Sequence, residues 1–149
     1  MTSNYERCRE IMRAAVTGDA TNASELYDTL DESGRTSYNM FVVAMFAGAM
    51  TARFEADQSL EAVQRFATEM KRDFPDAQPP VKPLTVELVI RGMLGEEHLF
   101  DEVGGGEQIR IQLLATRKII NDSAQMTADI EEYLSDAARL ASQWESELR

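Results

Sequence analysis

A run of seventeen residues without a charged side chain, residues 36–52, is the feature that most constrains the fold of this chain. The run stands out because 28% of all residues are charged. A helix that is apolar on every side offers no face to water and therefore belongs inside a protein. We predict a buried central helix over residues 36–54, with the other helices packed around it.

Apolar residues in the rest of the chain recur every three or four positions, which is the spacing of amphipathic helices. We therefore predict an all-α, single-domain irregular bundle of about six or seven helices. Antiparallel hairpins are expected from the first two helices, from the third with the fourth, and from the last two. A helical-repeat-like stack is the alternative, although no fixed period recurs.

Glycines and small residues suggest where these helices end and how they pack. Gly18, Gly34 and Gly95 each follow a periodic segment and are predicted as helix stops. The glycines at 104–106 are predicted as a flexible loop. Ala44, Gly48 and Ala52 are spaced by four, which predicts a stripe for close approach of a neighbouring backbone.

The length of 149 residues suits one domain, because a chain of this size buries roughly 68–70% of its unfolded surface. All four prolines lie between residues 75 and 83. We predict a Pro-rich connection over residues 74–84, between an N-terminal four-helix part and a C-terminal three-helix part. The domain is expected to cover residues 1–149.

Charge excludes two classes of partner. Twenty-six acidic residues against fifteen basic ones give a net charge of −11, which repels nucleic-acid phosphates and anionic membranes. The uncharged run is also shorter than the ~20 residues of a membrane span. We expect no nucleic-acid partner and no membrane partner.

The single cysteine and the first ten residues of the chain suggest the cellular compartment of the protein. Cys8 is the only cysteine, so an intramolecular disulfide cannot form. The first ten residues lack the apolar segment of a signal peptide. Both observations favour a cytoplasmic protein.

Few residues suggest chemistry. His98 is the only histidine, and carboxylates at Glu97 and Asp101 flank it. Because no second nitrogen or sulfur ligand is near, these three are weak candidates for a metal site. Cys8 lies on an apolar helix face and is expected in the core. We predict no metal, no cofactor and no catalytic residue.

Three functional hypotheses remain. The leading one is a non-enzymatic acidic protein that acts through protein–protein contacts, with a partner or as a homodimer. Its predicted contact residues lie on the wide apolar side of the last helix: Tyr133, Leu140, Trp144 and Leu148. The alternative is a ligand-binding module whose Met/Phe-lined pocket includes Phe46, Met50 and Phe54. The third is a metal-dependent protein that uses the acidic segment around His98.

Overall fold

A computed structural model describes residues 4–148, which contain eight α-helices, one 3-10 helix and no strand. The all-helical prediction is therefore confirmed, although these residues form nine helices where about six or seven were predicted. The helices are α1 (Asn4–Val16), α2 (Ala20–Asp28), α3 (Glu32–Arg53), α4 (Leu60–Asp73), α5 (Pro83–Met93), the 3-10 helix (Glu97–Glu102), α6 (Gly105–Asp122), α7 (Ala124–Ala128) and α8 (Ile130–Glu147).

Side-chain caps explain several helix starts. The side chains of Ser59 and Ser123 accept hydrogen bonds from the backbone N–H of the third residue of α4 and of α7. Asp19 does the same for α2. Gly18 and Gly95 take positive φ values of 87° and 128°, so both predicted stops are confirmed.

Two glycine predictions are wrong. Gly34 is not a stop but lies buried in the first turn of α3, where its N–H donates to Asp31 Oδ1 over 2.7 Å. This cap starts α3 four residues earlier than the predicted Thr36. The loop predicted at 104–106 is instead the start of α6, with Gly104 as the N-cap residue. An extended Gly104 serves as a cap without any side chain.

The predicted last helix is broken at Asp129 into α7 and α8. This break lets α8 leave α6 and run along α1 and α3. Of the three predicted pairs of neighbouring helices, the first is in contact, because α1 packs on α2. The third helix packs chiefly along α8 and α6, and α4 packs along α5.

The direction of α8 follows from its contacts. Tyr5 contacts Glu145 while Arg13 contacts Glu131, so α1 and α8 run antiparallel. Met40 and Trp144 line one surface cleft, and Gly48 and Leu140 line another. The later residues of α3 therefore lie beside the earlier residues of α8, so these two helices are also antiparallel. The last helix therefore lies across two helices from the N-terminal half.

The core is one connected cluster of buried apolar side chains that draws on helices from α1 to α8. The helix at its centre is α3, but it is not buried on every side as predicted. Thr36, Asn39, Gly48, Thr51 and Ala52 are exposed, because an uncharged residue need not be an apolar one. One side of α3 therefore faces water.

Only one member of the predicted stripe of small residues is buried against its neighbours. Ala44 is buried, but Gly48 and Ala52 are exposed. A Cβ atom built on Gly48 would meet no heavy atom of residues 4–148 outside its own helix backbone within 4 Å. Gly48 therefore does not mediate the close backbone contact that its spacing suggested.

The Pro-rich connection joins α4 to α5 and includes a cis peptide bond between Gln78 and Pro79. Val81 within it is 2% exposed and belongs to the core cluster. The connection is thus held against the helices at its middle. Within residues 4–148, no helix combines the length and the apolar character needed to cross a membrane.

Candidate functional site

An apolar strip runs along the outside of the pair formed by α3 and α8. We call it the α3/α8 face and define it by six side chains that are half-buried or exposed: Met40, Val43, Tyr133, Leu140, Trp144 and Leu148. Four of the six are the contact residues predicted on the last helix. The two from α3 were missed, because that helix was expected to be buried all round.

Two clefts open along the α3/α8 face. The larger, of about 370 Å³, is lined by Met40, Val43, Trp144, Glu147 and Leu148. The smaller, of about 100 Å³, lies between Gly48 on α3 and the Tyr133 and Leu140 side chains on α8. Leu148 is 79% exposed. Apolar side chains therefore reach solvent along most of the length of α8.

Among the described residues of α3 and α8, the charged side chains beside this face lie on α8. No charged residue occurs on α3 between positions 36 and 52. On α8, Asp136 and Glu147 line the two clefts, and Arg139 is bound to Asp136 at 2.7 Å. With Glu132 exposed on the same helix, the rim carries a net negative charge.

The pocket candidates Phe46, Met50 and Phe54 lie in the core. They are 0%, 4% and 3% exposed, and Phe54 packs edge-on against the ring of Phe66. They contact core neighbours, and the clefts described here are lined by other residues. Their aromatic and thioether groups fill space around α3, as side chains on the inner face of a central helix do.

The metal candidates Glu97, His98 and Asp101 are all exposed on the 3-10 helix. In the described part of the chain, no group of three or more His, Cys, Asp or Glu side chains is arranged to hold a metal ion. Nearby Glu96 is instead bound by Arg91 Nε at 2.7 Å, which lowers the pKa of the Glu96 carboxyl.

A third cleft, which we call the Arg110 cleft, lies between α1, α2, α3 and α6 and has a volume of about 340 Å³. Its walls are mainly apolar: Ile11, Ala15, Ala23, Tyr27, Ile109 and Leu113. Ser24, Asn39 and Arg110 supply its polar side chains. The sequence did not predict it, because its walls come from four helices whose packing was not foreseen.

A buried lysine ties α4 to α6. The Lys118 side chain is 1% exposed, and its Nζ donates to Glu69, Asp73 and Asp122 at 3.1, 2.5 and 2.8 Å. Burial alone would lower the pKa of Lys118, but these hydrogen bonds outweigh it and the pKa is raised. All three ammonium protons are thus used, so the lysine is a structural tie and not a free base.

A second polar cluster joins α1, α3 and α8. The Tyr5 hydroxyl donates to Glu145 Oε2, and Ser37 Oγ donates to Glu145 Oε1 over 3.1 Å. The buried thiol of Cys8 lies near this carboxylate, and burial with the Glu145 charge raises the pKa of Cys8 to about 12. A protonated thiol is a poor nucleophile. The cluster is best explained as a polar link between three helices.

Neither polar cluster was found from the sequence. The only visible sign of the first was Asp122 four residues after Lys118, which is a common helical ion pair.

Comparison with known proteins finds no matching family model and no curated protein or solved structure with significant similarity. The functional argument therefore depends on the surfaces and clefts of this chain.

Proposed function

We propose that this protein is non-enzymatic and acts by binding a partner protein through the α3/α8 face. The observation that carries the proposal is the open cleft where Trp144 lies beside Met40, Val43 and Leu148. A half-buried tryptophan among apolar neighbours is the type of residue that dominates binding energy at protein interfaces. Contiguous apolar surface of this kind marks interaction sites.

The groove between two antiparallel helices suits one kind of partner segment. An amphipathic helix places apolar side chains every three or four residues along one side, and such a stripe can lie in an apolar groove. The clefts at Trp144 and at Gly48 are successive positions along this groove. We therefore infer that the partner supplies an amphipathic helix.

Charge favours a basic partner over a second copy of this chain. Glu132 and Glu147 make the α8 rim negative, because Asp136 and Arg139 pair with each other. A helix with Lys or Arg beside its apolar stripe would complement this rim, which favours the correct partner and speeds association. Two copies that each carry a charge of −11 repel one another.

Two further observations concern the domain organisation of the chain and the compartment in which it acts. The connected core supports treating the chain as one domain, an irregular bundle around α3. A single cysteine that is buried and unpaired is consistent with action in the cytoplasm.

A titration followed by tryptophan fluorescence tests the proposal, because Trp144 is the only tryptophan. The probe is an amphipathic peptide of leucine and lysine, 18 residues long like α8. A matched peptide of leucine and glutamate is the control. We expect saturable binding with a blue shift of Trp144 emission for the lysine peptide only.

Substitutions separate docking on the α3/α8 face from non-specific attraction to an acidic protein. Val43→Asp and Leu148→Asp make the chain more acidic and would strengthen non-specific attraction. They also bury a carboxylate against apolar residues of the peptide, which should weaken docking about tenfold or more. Thr68→Asp, at an exposed site on α4, adds the same charge elsewhere and should not weaken binding.

Two results would overturn this assignment. If Val43→Asp and Thr68→Asp bound the lysine peptide equally well, the α3/α8 face would not be the docking surface. If sedimentation showed a dimer that Val43→Asp dissociates, the face would join two copies of this chain.

A further inference from the structure

We propose that the Arg110 cleft is a binding site for a small molecule with an apolar body and one carboxylate. This site is separate from the α3/α8 face, since it lies between α1, α2, α3 and α6. Its volume of about 340 Å³ is within the range of small-molecule sites. Mostly apolar walls with a few polar groups are also typical of such sites.

The cleft differs in charge from the rest of the molecule. Acidic residues outnumber basic ones by 26 to 15 in the chain. Yet among the described residues that line the cleft none is acidic, and Arg110 is the one charged side chain. A cation in an apolar setting on an acidic protein favours an anionic group and disfavours a cationic one.

Arg110 is held in place before any ligand binds. Its Nη2 donates to the carbonyl oxygen of Pro79, and its Nη1 donates to Glu107 Oε1 over 2.8 Å. Glu107 offsets part of the positive charge. Within residues 4–148, Arg110 Nε makes no hydrogen bond, so an N–H group remains for a ligand. Guanidinium groups bind carboxylates through such N–H groups.

Other groups nearby add to the same preference. The Arg35 guanidinium lies over the ring of Tyr27, 4.9 Å from its centre, and Tyr27 lines the cleft. Gly106, in the first turn of α6, also lines it. The N-terminal end of a helix carries partial positive charge.

The aromatic walls indicate a planar apolar body. Tyr27 and Tyr38 pack edge-on with ring centres 5.5 Å apart, and both line the cleft. Aromatic rings favour offset or edge contacts with another ring. Ser24 and Asn39 provide further hydrogen-bonding groups in the lining. An aromatic carboxylic acid therefore fits the cleft best.

Calorimetric titration with 2-naphthoate and 2-naphthamide tests the proposal, because the two share one ring system and differ in charge. We expect the acid to bind the wild-type protein at least about tenfold more tightly than the amide, as a charge-assisted hydrogen bond allows. Equal affinity for the two, tighter binding of 2-naphthylmethylamine, or no binding of the acid would overturn the proposal.

Substitutions in and beside the Arg110 cleft test whether the two compounds bind there. Ala23→Phe should fill the cleft and abolish binding of both compounds, whereas Ala20→Phe, at an exposed site on the same helix, should not. Ser24→Phe blocks the cleft from an exposed position and serves if Ala23→Phe does not fold. Arg110→Gln should remove the preference for the acid. Arg110→Lys should retain part of it, because the positive charge stays.

The α3/α8 face needs its own control, because it is also apolar. Val43→Asp should leave the affinity for 2-naphthoate unchanged. If Val43→Asp abolished binding while Ala23→Phe and Ser24→Phe did not, the acid would bind at the α3/α8 face and the Arg110 cleft would not be its site.

Discussion

Trp144 on α8 and Met40 on α3 line the same open cleft, although they lie far apart in the sequence. They meet because α8 crosses back over the N-terminal half, antiparallel to α3. The Ser37–Glu145 hydrogen bond of 3.1 Å holds the two helices together one turn away. The α3/α8 face thus exists only once α8 has packed on α3.

Gly48→Ala should stabilise the protein by about 0.5–1 kcal/mol, since glycine within a helix is unfavourable by that amount. A Cβ atom at Gly48 would meet no neighbouring atom of the described residues within 4 Å, so we expect no steric cost to oppose the gain. Urea unfolding measures the change. Gly92→Ala is the matched comparison and should destabilise, because its Cβ would lie 2.9 Å from the Phe100 ring.

Overpacking of this kind costs roughly 1–3 kcal/mol, more than the helix propensity gained. If Gly48→Ala destabilised the protein as much as Gly92→Ala, a helix would pack closely over Gly48. The position of α3 relative to α8 would then be wrong.

Lys118→Met should lower the free energy of unfolding by about 1–3 kcal/mol at neutral pH, because it leaves three carboxylates without their shared donor. Removing one partner of a fully buried pair costs more, about 3–5 kcal/mol. Asp122 and the other two acids are 24–38% exposed, which reduces the effect. Lys71→Met, at an exposed lysine on α4, should change little.

The effect of Lys118→Met should also depend on pH. In the wild-type protein, the hydrogen bond from Lys118 to Asp73 lowers the pKa of the Asp73 carboxyl below the ordinary 3.8. Ionised Asp73 therefore contributes stability above that value, and the contribution is lost as pH falls through the lower folded pKa. The difference between wild type and variant should shrink in acid. Urea melts in which it grew with acidification would contradict this assignment.

Cys8 should resist thiol reagents in the folded protein. Its side chain is 0% exposed, and burial with the nearby Glu145 charge raises its pKa from 9.0 to about 12. The thiolate fraction falls about tenfold for each unit by which the pKa rises. The reaction of Cys8 with a chromogenic disulfide at mildly alkaline pH should therefore be slowed about a thousandfold or more. The same reaction in concentrated guanidinium is the reference. Native and unfolded protein reacting at one rate would show that Cys8 is accessible.

Local features of this fold could be predicted from the sequence, because they depend on neighbouring residues. Ser59 and Ser123 cap helices through bonds to the next turn, and Gly18 and Gly95 end them with positive φ. The helix pairing could not, because the break at Asp129 decides where α8 packs. Propensity and spacing carry no information about that choice.

The residues of the candidate site could be predicted only in part, for the same reason. Four-three spacing placed Trp144 and Leu148 on one side of the last helix, and Tyr133 and Leu140 widened that side. Met40 and Val43, in contrast, lie on a helix that was predicted to be buried on every side. Which side of α3 remains open depends on its neighbours, and hence on the tertiary structure.

The most direct test of the α3/α8 face is an amide NMR titration of the isotope-labelled protein with the leucine–lysine peptide. Chemical-shift changes should concentrate at residues 40–48 and 133–148, and Val43→Asp should reduce them at matched peptide concentration. Changes spread evenly over the acidic surface, or centred on α4 and α5, would contradict the assignment of this face as the partner-binding surface.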